Sequence, residues 1–234
     1  MVLLGSLVNA AGIIIGSLLG LLLRRIPESM KQTVMTGIGL FVMVLGLDMA
    51  LESEQLFIVI ISLVFGAVIG EAIDIEKKLH QVGHWLEKKL SRNQTGDFAQ
   101  GFVSATLIFV IGAMAIVGSL DSGLREDHDI LYTKSMIDGF TSMVLSSTLG
   151  IGVLLSAVPV FIYEGGIAVF ANVIHQYVPE SLLEDLISEI TAVGGILIFA
   201  IGINMLAIKA IRVANLLPSL AVVAVIIVLM KLFN

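Results

Sequence analysis

VLLGSLVNAAGIIIGSLLGLLL, residues 2–23, runs without a charged side chain. At 1.5 Å per residue it makes a helix of about 33 Å, enough to cross a hydrocarbon core of about 30 Å. A secretory signal needs a basic leader and a shorter apolar run, so this segment is expected to stay as a spanning helix. Within it Gly12, Gly16 and Gly20 form a GxxxGxxxG row, and Gly66 and Gly70 repeat the spacing further on. Residues four apart share a helix face, and glycine there lets a second backbone come close. The rows read as helix packing. Making room for a permeating solute is the alternative, and a contact between copies, giving a homo-oligomer, would use the same surface.

The rest of the chain is similar in kind. Of 234 residues 57% are hydrophobic and 14% charged, with mean hydropathy +1.04. A soluble domain is about 45–50% apolar and about 25% charged. Alternation at period 2 is absent, which removes the support a membrane barrel would need. The expected fold is therefore all-α: a polytopic transmembrane bundle forming one domain over residues 1–234.

Eight spans are expected, near Val2–Leu23, Thr33–Leu51, Leu56–Ile73, Gln100–Leu120, Ser135–Ala157, Val160–Gln176, Glu189–Ile208 and Leu217–Leu232. Ten basic residues, including Arg24, Arg25, Lys31, Lys77, Lys78 and Arg212, then fall on one side; Arg125, Lys134 and Lys231 fall on the other. The richer side should be cytoplasmic and both termini external. Residues 135–176 are the ambiguous stretch. Their 42 residues make about 63 Å of helix, two crossings. Pro159, Gly165-Gly166 and Glu164 interrupt them, and one crossing plus a re-entrant segment gives seven crossings instead.

Short echoes suggest an internal repeat. Ser6-Leu7-Val8-Asn9 matches Ser135-Met136-Ile137-Asp138 at an offset of 129. Gly46-Leu47-Asp48-Met49 matches Gly202-Ile203-Asn204-Met205 at 156, and Pro27-Glu28-Ser29 matches Pro179-Glu180-Ser181 at 152. A parallel repeat needs an odd number of crossings; eight crossings would invert one echoed pair and not the other. Chance similarity among apolar helices is the competing explanation.

Two connecting segments carry expectations. Ile75, Leu79, Val82, Leu86 and Leu90 recur three and four apart, with lysines opposite. They predict an amphipathic helix over about residues 75–92 on the cytoplasmic membrane surface, or else packed on the bundle. Residues 121–129 (DSGLREDHD) read as an acidic external loop, solvated more readily than cation-binding.

The candidate binding residues are Asn9, Asp48, Asp138, Ser142, Ser146 and Asn204. An ionisable group inside an apolar span is costly and usually has a partner or a task. Asn9, Asp48 and Asp138 fall in the outer half of the membrane, and Asn204 joins them on the seven-crossing path only. If spans one and five pack together, Asn9 and Asp138 form one polar cluster, open outward, for a cation or proton. Ser142 and Ser146 would extend a hydrated path, or bond back to their own helix. Asp48 and Asp138 could instead be snorkelling helix-end charges, and Asn9 and Asn204 interhelical hydrogen-bonders. Glu71 reads as an interfacial charge in preference to a cytoplasmic exit group.

Much chemistry is excluded. Without cysteine there is no thiol catalysis, and there is no HExxH, GxSxG or P-loop, so an enzyme, ATP drive and a cofactor are not expected. An aspartyl dyad of Asp48 and Asp138 departs from the GxGD pattern at Leu45-Gly46-Leu47-Asp48. No motif names a metal, nucleic acid is not expected, and the bilayer is the expected partner.

GSLVNAAGIIIGSLLG (5–20), FVSATLIFVIGAMAIVGSLDSG (102–123) and KSMIDGFTSMVLSSTLGIGVLLSAVPVFIYEGG (134–166) resemble the YqgA/YdfK-like family of bacterial membrane proteins of unknown function. The resemblance covers the whole chain. It implies a multi-pass protein of the bacterial cytoplasmic (inner) membrane, of a group commonly labelled as transport proteins, and assigns no site residue. The leading expectation is a transporter or channel for an ion or small polar solute, using a polar site between broken helices. The alternative is a non-transporting scaffold or partner-binding membrane protein.

Overall fold

The computed structural model describes residues 1–22, 28–78, 81 and 98–233, with the side chains of residues 28, 30, 31 and 34 left aside. All regular structure among them is helical. The helices are α1 (Leu4–Leu22), α2 (Glu28–Ala50), α3 (Leu56–Ile73), α4 (Phe98–Val110), α5 (Ala113–Leu124), α6 (Asp129–Leu149), α7 (Ala157–Tyr177), α8 (Glu180–Met205) and α9 (Pro218–Phe233). A single turn, Gly152–Leu155, precedes α7, and a 3₁₀ turn, Val213–Leu216, precedes α9. Among the described residues five stretches are long and apolar enough to cross a membrane: Leu4–Leu22, Leu56–Ile73, Gly152–Tyr177, Glu180–Met205 and Val213–Phe233; the bent pair α4–α5 makes a sixth if taken as one span. Helices stand at all eight expected positions, with α6 more polar than the rest because it carries Lys134 and Asp138.

The contacts gather into two units. One holds residues 1–34 and 81–177; the other holds 35–80 and 178–234.

In the first unit α1 and α6 lie side by side, and small residues explain how closely. A Cβ on Gly12 would meet Ser135 Oγ at 2.5 Å; on Gly16 or Gly20 it would stand 2.8 Å from the carbonyl carbon of Gly139 or Met143. The contacts advance together along both helices, so the pair is parallel. Leu7, Ile15 and Leu18 point the other way and are exposed, as a lipid-facing surface requires. Two glycines interrupt the remaining helices. Gly112, at φ 140°, separates α4 from α5, which diverge by 61°. Gly150, at φ 85°, ends α6. An L side chain rarely adopts either conformation.

In the second unit Gly39 and Gly46 of α2 lie against Gly202 and Gly195 of α8. The pairing advances on one helix while it recedes on the other, so this pair is antiparallel. Gly66 and Gly70 of α3 lie against Ser219 and Asn215, again antiparallel. All five predicted packing glycines thus sit where a backbone or small side chain comes close. One echoed pair is parallel and the other antiparallel, which agrees with an eight-crossing path.

Several local expectations change. The break in residues 135–176 lies at Gly150-Ile151. Pro159 falls in the first turn of α7, where its missing N–H costs no helical bond, and Gly165-Gly166 run through α7 unbroken. The span drawn over Gln100–Leu120 is two helices. The acidic loop shrinks to residues 125–128, because Asp121 and Ser122 finish α5 and Asp129 begins α6. His128 there is buried and hydrogen-bonded to Ser122 Oγ at 2.9 Å. Residues 75–78 are helical; apart from residue 81, the rest of the expected surface helix lies outside the described residues.

Candidate functional site

Three helices of the first unit bring four polar side chains to one place. Asn9 projects from α1, Lys134 and Asp138 from α6, and Glu164 from α7. Asn9 and Glu164 are 0% exposed, Asp138 5% and Lys134 6%. Lys134 and Asp138 are four apart on one helix, so they share a face.

The Asn9 amide ties the cluster together. Its Nδ2 donates to Asp138 Oδ2 at 3.0 Å and to Glu164 Oε1 at 2.8 Å. Turned over, the amide would set its oxygen against both carboxylates, so their charge fixes its orientation. Lys134 Nζ donates to Asp138 Oδ2 and lies 3.9 Å from Glu164 Oε1. Two carboxylates thus face one ammonium. With both ionised, the enclosed group carries a net charge of −1. Several buried atoms nearby have no partner: Asn9 Oδ1, Glu164 Oε2 and Ser6 Oγ, one turn before Asn9 on the same face. Buried polar atoms are normally satisfied, so this concentration of free acceptors sets the cluster apart.

The structure thus joins two of the six predicted site residues, Asn9 and Asp138. Ser142 and Ser146 lie further along the α1–α6 seam, where they act as clamps. Ser142 Oγ donates to the Ile13 carbonyl at 3.1 Å and Ser146 Oγ to the Ser17 carbonyl at 2.9 Å; each also reaches a carbonyl of its own helix. The own-helix bond matches one sequence expectation, and the bond across to α1 was not foreseen. Asp48 and Asn204 belong to the other unit. Asp48 is exposed in the last turn of α2. Asn204 closes the loop after α8, its Nδ2 donating to the Ile211 carbonyl and its Oδ1 accepting from the Ile211 N–H, both at 2.8 Å. Glu71 is also structural: it accepts from Asn215 Nδ2 at 2.7 Å and pairs with Arg212.

Lys134 and Glu164 are the members that sequence reading missed. Lys134, counted by sequence among the external basic residues, is instead buried and paired with Asp138. The four-residue spacing of Lys134 and Asp138, and a glutamate midway along an apolar span, were the available signals. The cluster is enclosed by helices in this conformation, where an outward opening was expected. Among the described residues, no group of three or more His, Cys, Asp or Glu is arranged to hold a metal.

A family model described as "Protein of unknown function (DUF554)" matches residues 4–228. The uncharacterised membrane protein YdfK of Bacillus subtilis (strain 168) is 34% identical over 235 residues, covering 98% of each chain. The uncharacterised protein YqgA of Escherichia coli (strain K12) is 28% identical over 222 residues, covering 93% of each. No solved structure matches. With apolar helices of membrane length and a family match over nearly all its residues, this chain is a helical membrane protein and belongs to the DUF554 family.

Proposed function

We propose that the protein is a transporter or channel for an ion or small polar solute, and that Asn9, Lys134, Asp138 and Glu164 form the site the moving species occupies. One observation carries the reading: two carboxylates and one ammonium, enclosed by three helices, keep acceptor atoms without partners. A bundle needing only structural glue gains little from that. Replacing a buried ionic group with apolar side chains of similar volume is often neutral or stabilising. The breaks at Gly112 and Gly150 also support it, since discontinuous helices line substrate sites in many transporters.

The test is a flux screen in proteoliposomes across cations and small metabolites, comparing the wild type with Asp138→Asn and following the melting temperature of each. Flux lost with the fold retained is the expected result. Normal flux in the variant removes the cluster from the pathway. A folded wild type that moves nothing in the screen favours the scaffold or partner-binding reading.

A further inference from the structure

Both donors of the cluster crowd onto one oxygen of each carboxylate. Asn9 and Lys134 address Asp138 Oδ2, and the same two approach Glu164 Oε1. Glu164 Oε2 is left enclosed and bare, as is Asn9 Oδ1. Both bare atoms are acceptors. An anionic oxygen in an apolar interior calls for a positive species.

The ammonium of Lys134 already stands against both carboxylates, where a metal ion would have to sit. A metal would lie beside that ammonium, and divalent ions also require about six or more oxygens. A proton needs neither a coordination shell nor a cavity. It turns Oε2 from acceptor to donor and brings the cluster from −1 to neutral.

On the basis of the transport reading above, we infer that the cluster is a proton-binding site. Glu164 Oε2 takes one proton from water and returns it, so that H⁺ is the transported or the driving ion. Asp138 keeps the hydrogen bonds it accepts from Lys134 and Asn9. Facing Glu164 are Asn9 from α1 and Lys134 and Asp138 from α6, with Tyr163 next to it on α7. Helix α4 carries no titratable side chain, and on α5 Asp121 lies at the helix end, 3.5 Å from Arg125.

Infrared difference spectroscopy on the purified full chain tests this without a substrate. The expected result is a protonated-carboxyl C=O band that shifts in D₂O and disappears on alkaline titration. It is lost in Glu164→Gln and unmoved when Na⁺ or K⁺ replaces choline. Should Glu164→Gln not fold, Glu164→Asp keeps a carboxyl and shifts the band. No titrating band, a band untouched by either Glu164 variant, or a band erased by Na⁺ or K⁺ at constant pH overturns the proposal. Vesicles loaded with pyranine separate the two readings. A titrating Glu164 band without flux sustains the proton site and removes the transport reading. Flux driven by Na⁺ or K⁺ without the band does the reverse.

Discussion

Asn9 and Asp138 are 129 positions apart in the chain and 3.0 Å apart in space. The same interval separates Ile13 from Ser142 and Ser17 from Ser146, two further hydrogen-bonded pairs along the seam; Ser135 Oγ, donating to the Val8 carbonyl at 3.0 Å, spans 127. The cluster and the clamp are therefore parts of one parallel helix contact.

Gly16→Leu should unfold the first unit, and Gly16→Ala should already lower the melting temperature clearly. The added Cβ falls on the Gly139 carbonyl, which is backbone and cannot move aside. Overpacking costs about 1–3 kcal/mol where side chains can yield, so a larger loss is expected here. Gly37→Ala is the control: nothing lies within 4 Å of its Cβ, and a gain of roughly 0.5–1 kcal/mol is expected. Equal melting temperatures for Gly16→Ala and wild type would show that the seam is looser than described.

Ser142→Ala and Ser146→Ala should each cost about 0.6 kcal/mol, the size of an interhelical hydrogen bond in a membrane, and leave flux unchanged. A large loss of flux with unaltered stability would return these hydroxyls to the solute path.

Lys134→Met should be more damaging than Asp138→Asn. It leaves two buried carboxylates with no cation, and breaking a buried pair from one side costs about 3–5 kcal/mol. Adding Asp138→Leu to Lys134→Met should recover part of the stability. Strict additivity of the two changes in a double-mutant cycle would deny the coupling.

Cysteine at Glu126 should react with an impermeant reagent on intact cells, and cysteine at Lys78 only after permeabilisation. Both positions are exposed in the structure and lie on opposite sides of an eight-crossing path. The reverse pattern would invert the topology.

Glu52, in the connection after α2, has its carboxyl held above the usual range by burial and then by the Asp48 charge. The fold therefore binds the Glu52 proton more tightly than the unfolded chain does. Its penalty is complete at neutral pH and is relieved as pH falls through the raised value. Glu52→Gln should raise the melting temperature slightly at neutral pH, the effect being small because the group is largely exposed, and the gain should vanish in acid. A gain independent of pH would point to another cause.

The fold class was legible because lipid demands long apolar helices, and their composition is plain in stretches such as residues 2–23. The packing glycines were legible from spacing alone. Asn9 and Asp138 could be paired because their flanking motifs share the offset of the parallel seam. Lys134 was not, since basic residues near a span end are read by the side of the membrane, and nothing in the sequence marks one folded inward. Ser142, Ser146 and Asn204 have side chains suited equally to a ligand, a neighbouring helix or a loop carbonyl, and only their surroundings decide. Gly150 looks like any other of the 23 glycines until its φ is known.

The glycine–serine ladder repeats every turn, and the cluster does not. Slide α1 along α6 by one turn, about 5.4 Å, and Gly16 takes the seat of Gly12 while Gly20 takes that of Gly16. Ser142 and Ser146 would then find the carbonyls of Ser17 and Leu21 in place of their present acceptors. The slip would also bring Arg24, whose side chain has a Cβ, to the seat of Gly20 against the Met143 carbonyl, and Asn9 would leave both carboxylates behind. The amide and the last glycine of the row thus select the register of the pair together. Whatever changes the charge that the Asn9 amide faces therefore bears on the contact that holds α1 in place along α6.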